Sequence, residues 1–112
     1  MRLTPGMGLR LLATSTALSL LATRALAWEA MPVADLEGLT LRYADGFQEF
    51  RAGGATLYGA GNPSLGYWHD EAGSYCSQWP PNDRWTCYGL EREGDHVRFI
   101  AADGSFTEGV IE

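Results

Sequence analysis

The chain has 112 residues, eight basic residues, all of them Arg, fourteen acidic ones and a formal net charge of −6, which leaves room for one domain and no second core. An acidic surface repels phosphate backbones and anionic lipid headgroups, so composition argues against nucleic-acid and membrane-surface partners. Two cysteines allow a single intramolecular bridge, Cys76 with Cys87, as in small exported domains.

Residues 1–27 read as a cleaved secretory leader. Arg2 and Arg10 form a positive start, residues 11–23 are small and aliphatic, and Ala25-Leu26-Ala27 is a cleavage site. The apolar run is shorter than the ~20 residues of a spanning helix, and Arg24 ends it. Cleavage leaves Trp28 first and no cysteine beside it for a lipid, so no membrane insertion is expected afterwards. From there on five Arg face fourteen acids, a net of −9. The expected compartment is periplasmic or extracellular, and the expected state is a monomer.

Residues 28–38 form an N-terminal segment in which Pro32 starts a short helix, Val33, Ala34 and Leu36 make one apolar stripe, and Gly38 stops it. After Gly38 the period becomes two: Leu39, Leu41 and Tyr43 point one way, Thr40 and Arg42 the other. Turn signals such as Asp45-Gly46, Gly53-Gly54, Ala72-Gly73, Gly94-Asp95 and Asp103-Gly104 recur at the ~8–12 residue spacing of an all-β sandwich or barrel. They divide residues 39–112 into eight strands, near 39–43, 47–51, 55–59, 66–69, 74–79, 85–91, 96–100 and 105–111. Short connections predict an antiparallel meander, and a meander removes its edges by closing into an up-and-down barrel. A strongly curved open sheet is the alternative. Phe47 and Phe50 have opposite parity, which demands a bulge or leaves one ring outside. Residues 59–65 are the loosest connection, a candidate rim loop.

The stretch from Gly66 to Glu91 holds both cysteines, three of the four Trp and three of the five Tyr. If Pro80 to Asp83 turn the chain, Trp79 pairs with Arg84, Gln78 with Trp85, Ser77 with Thr86, Cys76 with Cys87 and Tyr75 with Tyr88. Opposed Cα atoms of an antiparallel pair lie within disulfide range. Tyr75, Trp79, Tyr88 and Leu90 then share one face, and Cys76, Gln78, Trp85 and Cys87 the other. Parity does not say which face is interior. Trp79 and Trp85 beside a proline-set turn make a recognition edge; the competing reading has one ring in the core and the other over the disulfide. With the aromatic residues of the neighbouring strands added, the candidate ligand or partner contacts are Trp68, Tyr75, Trp79, Trp85 and Tyr88.

Catalytic chemistry finds little footing. His69 and His96 stand at strand ends beside acids, where a solvated His is ordinary. There is no G-x-S-x-G, H-E-x-x-H, phosphate-cradling loop or EF-hand loop, so no catalytic residue, metal ligand or cofactor is assigned.

The run of L-x-G-x-T-L from Leu36 to Leu41, G-x-x-L-Y from Gly54 to Tyr58, G-Y-W from Gly66 to Trp68, Y-C-S-Q-W-P-P from Tyr75 to Pro81 and Cys87-Tyr88 resembles small exported bacterial proteins of unknown function. The resemblance implies a secreted or periplasmic β-domain with one disulfide. The plan is similar to the calycin-like barrels, lipocalins and avidins among them, and to periplasmic protease inhibitors that combine a small barrel with an inhibitory N-terminal segment. Three functions follow as expectations: a non-catalytic binding or structural module with a protein or small-molecule partner, an inhibitor of an extracytoplasmic hydrolase, and a carrier of a small apolar ligand.

Overall fold

The computed structural model describes residues 27–112; nearly all of the expected leader lies outside them. The strands are β1 (Glu29–Ala30), β2 (Thr40–Tyr43), β3 (Gly46–Phe50), β4 (Ala55–Gly59), β5 (Ser64–Glu71), β6 (Ser74–Gln78), β7 (Thr86–Glu93), β8 (His96–Ile100) and β9 (Phe106–Ile111). From β2 to β9 each strand pairs antiparallel with the next, and β9 returns to β2. The eight strands therefore close into an up-and-down barrel, not an open sheet. Closure rests on Leu41 opposite Ile111 and Arg42 opposite Val110, with an exposed ion pair between Arg42 and Glu112 beside it.

The short helix expected near Pro32 does not form as an α-helix. Residues Val33–Leu36 make a single 3-10 turn, because the segment is held from both sides. Ahead of it β1 pairs with β7 and the Met31 N–H donates to the Leu90 carbonyl. Behind it the Gly38 N–H donates to the Phe50 carbonyl at 2.7 Å. Met31, Val33 and Leu36 are buried against Leu41, Phe50, Trp68, Leu90, Val97 and Phe99, so the segment plugs one end of the barrel.

Phe50 is at the centre of that core, edge-on to Trp68 and Tyr75 and stacked on Phe99. Such aromatic pairs contribute ~0.5–1.5 kcal/mol each beyond burial. β3 pairs without interruption with both neighbours, so no bulge is needed. Gln48 and Phe50 point inward and Phe47 lies outside, opposite Gly59.

Candidate functional site: a tyrosine-lined pocket at the open end of the barrel

The plugged end lies beside the β3–β4, β5–β6 and β7–β8 turns. The β2–β3, β4–β5, β6–β7 and β8–β9 connections surround the other end, including residues 60–63 of the expected rim loop. A pocket of about 200 Å³ opens there. Its wall comes from the strand ends nearest this mouth: Tyr43 closes β2, Gln48 follows in β3, Tyr58 stands near the end of β4, Ser77 near the end of β6, and Tyr88 and Thr107 near the starts of β7 and β9. Trp79, Asp45, Tyr75 and Phe99 complete it. Four of the five tyrosines thus share one cavity.

Two glycines admit the large rings. A Cβ on Gly66 would meet the Gln78 carbonyl oxygen and Trp79 Cε3, each at 2.7 Å, and one on Gly109 would meet Tyr43 Cε1 at 2.8 Å. Real Cβ atoms do not come so close, so only glycine lets Trp79 and Tyr43 lie against the inner wall.

The floor is a connected polar network. Tyr43 Oη donates to Gln48 Oε1 at 2.7 Å, and Gln48 Nε2 donates to Thr56 Oγ1 at 2.9 Å and to Tyr75 Oη at 3.3 Å. Thr56 Oγ1 donates to the Glu49 carbonyl at 2.8 Å. Gln48 and Thr56 are buried and are tolerated because their polar atoms find partners. Burial, with the neighbouring tyrosines adding to it, pushes the Tyr43 phenol far above its ordinary value. Burial likewise raises Tyr75 to about 12, against the pull of hydrogen bonds from Ser77 and Gln48. At the rim Tyr58 Oη reaches Asp45 Oδ1 at 3.4 Å. Desolvation, then the Asp45 charge and the hydrogen bond to it, raises Tyr58.

The central hairpin has Tyr75 opposite Tyr88, Cys76 opposite Cys87 and Ser77 opposite Thr86, with the disulfide formed across a Cα separation of 4.0 Å. The ladder ends at Ser77, whereas the expected register continues through Trp79 and Arg84. Beyond Ser77 the chain splays: Trp79 turns inward onto Gly66 and Trp85 outward onto His69, ring centroids 4.3 Å apart. The loop between them is tied by Asn82 N–H to the Trp79 carbonyl and by Gln78 Nε2 to the Asp83 carbonyl.

Of the five candidate contacts, Tyr75, Tyr88 and Trp79 therefore meet in the pocket. Trp68 is buried at the plugged end, its Nε1 shared between the Arg51 and Ala55 carbonyls at 3.2 and 3.0 Å. Trp85, 44% exposed, stands outside with His69, which lies opposite Cys76. Sequence reasoning passed over Tyr43, Asp45, Gln48 and Tyr58. A usable signal existed: in a closed meander, one mouth collects the last inward residue of each outgoing strand and the first of each returning one.

His69 and His96 do not line the pocket; His96 Nδ1 is 2.9 Å from Glu108 Oε2 on the outer wall. Glu71 lies close to Cys76 and Cys87, but both sulfurs are spent in the disulfide, so that trio offers no thiolate to a metal. Among the described residues no helix is long and apolar enough to cross a membrane. No protein-family model matches the chain, and comparison with curated proteins and with solved structures finds no match.

Proposed function

We propose that the chain is a secreted or periplasmic, non-catalytic binding module that takes a small molecule in the tyrosine-lined pocket. The observation that carries the reading is the asymmetry of the barrel interior. One end is filled by Met31, Val33 and Leu36, while the other keeps a cavity of about 200 Å³ lined by four Tyr and Trp79. Ligand cavities combine aromatic walls with a few placed polar groups, and those for drug-sized molecules run to ~300–1,000 Å³. The ligand is correspondingly small. A disulfide in a small β-domain is compatible with export.

The phenol and carboxylate groups on the wall favour a partly polar ligand over the purely apolar cargo of a carrier. The inhibitor reading assigns inhibition to the N-terminal segment, and the packing of residues 28–38 favours it less. Met31, Val33 and Leu36 are core residues, and the Arg98 guanidinium sits 3.9 Å from the Trp28 ring and 4.2 Å from that of Phe106.

The test is an NMR titration of the whole exported chain with phenol, acetate and tetramethylammonium. Binding by at least one probe shifts the Trp79 indole N–H and the Tyr88 and Thr107 amides and leaves the Trp85 indole in place. Trp79→Ala abolishes the response and Trp85→Ala keeps it. If no probe moves the pocket signals at millimolar concentration, the reading fails.

A further inference from the structure

The pocket's chemistry selects among ligand classes, and we infer that its ligand is a small organic cation, an alkylated or primary ammonium group held against the tyrosine and tryptophan faces beside Asp45. The inference rests on the proposed binding role of this pocket and names what enters it.

Three features of the site converge. Its walls are largely aromatic rings: Tyr43 and Tyr58 lie tilted with centroids 6.1 Å apart, Tyr75 and Tyr88 tilted at 6.2 Å, and Tyr58 and Trp79 edge-on at 6.5 Å. An ammonium within ~6 Å of a ring face is attracted by its quadrupole, the more strongly when it is desolvated. Asp45 is the only charged residue in the lining, and among the described residues no Arg or His forms a salt bridge with it. Its one side-chain partner in the wall, Tyr58 Oη, holds the carboxylate at the pocket edge without neutralising it.

The surroundings reinforce the sign. The four connections around the mouth carry Asp45, Asp83 and Asp103 against Arg84 alone. Hydrogen bonds from Ser105 hold Asp103 below the usual carboxylate range, so it remains ionised. A mouth of net negative charge over low-dielectric walls concentrates cations. Anionic ligands meet the opposite field. The floor offers neutral ligands little, because Gln48 and Tyr43 already spend their polar groups on each other and on Thr56 and Tyr75.

The experiment compares tetramethylammonium with tert-butanol, a neutral molecule of similar shape, by the same pocket NMR signals. The cation is expected to bind at least about tenfold more tightly, and Asp45→Asn to reduce its affinity about three- to tenfold, with the fold intact because Asp45 is exposed. Tyr58→Leu weakens the cation again, as the loss of a ring face requires. Equal binding of the two probes, or phenol or acetate shifting the pocket while tetramethylammonium does not, overturns the cation assignment and leaves the binding role standing. Silence from every probe removes both. Unchanged cation affinity in Asp45→Asn and Tyr58→Leu, with the Trp79 shift retained, also overturns the assignment.

Discussion

Gly66, Gly109 and Ala72 show how single positions shape this barrel. Gly66→Ala drives a methyl into the Gln78 carbonyl and the Trp79 ring, which have to move apart. The expected cost is ~1–3 kcal/mol, as for other overpacked interiors, with the Trp79 indole signal displaced; denaturant unfolding and NMR read both. Ala72 takes the opposite direction. It holds φ +53° beside Gly73 at +91° in the two-residue turn between β5 and β6, a primed turn that prefers Asn-Gly. Ala72→Asn is expected to raise stability by ~0.5–1 kcal/mol in the same unfolding assay, since a left-handed L-residue costs ~1–2 kcal/mol and Asn offsets part of it. The turn itself was legible as Ala72-Gly73, but the strain on Ala72 became visible only with the turn type.

Among the elements, the β6–β7 hairpin and the N-terminal segment act at opposite ends of the barrel. The disulfide closes a loop with a sequence separation of 11, worth ~3 kcal/mol in the chain-entropy model. The double variant Cys76→Ser, Cys87→Ser is expected to lose about that much by urea unfolding while keeping the pocket, since the sulfurs face outward. Leu36→Ala reaches the plug. Leu36 is fully buried, and the loss is expected to be ~2–5 kcal/mol. A cost below about 1 kcal/mol would mean that residues 28–38 do not plug the barrel. The hairpin register was readable because two cysteines and one turn lie close in sequence. The plug was not, because its partners in β2, β3, β5, β7 and β8 come from the whole chain.

For the whole molecule, the buried phenols set an alkaline limit. Burial holds the folded value of Tyr75 near 12 and raises that of Tyr43 as well, whereas both titrate near 10 when unfolded. Below about pH 10 both states hold the protons and stability is unaffected. Above it the unfolded state releases protons that the folded state retains, so stability falls as pH rises toward the folded values, by ~1.4 kcal/mol per pH unit for each buried phenol. Urea unfolding between about pH 9 and about pH 11 should show this slope, and Tyr75→Phe should reduce it by its own share. A flat profile would mean that the floor network is open to water.

The order of β2 to β9, most turn positions and the pairing of Cys76 with Cys87 were determined by the sequence, because a period of two, turn residues and a short hairpin are local properties; β1, which exists only through its pairing with β7, was not. Which hairpin face is interior was left to the tertiary structure. Parity divides Tyr75, Trp79, Tyr88 and Leu90 from Cys76, Gln78, Trp85 and Cys87 with no preference between them. Only closure of β9 onto β2 wraps the sheet so that the first set is enclosed. Closure also gathers Tyr43, Tyr58, Tyr75 and Tyr88 from four strands around one cavity. Their sequence separation hides a contact that the curvature of the barrel creates.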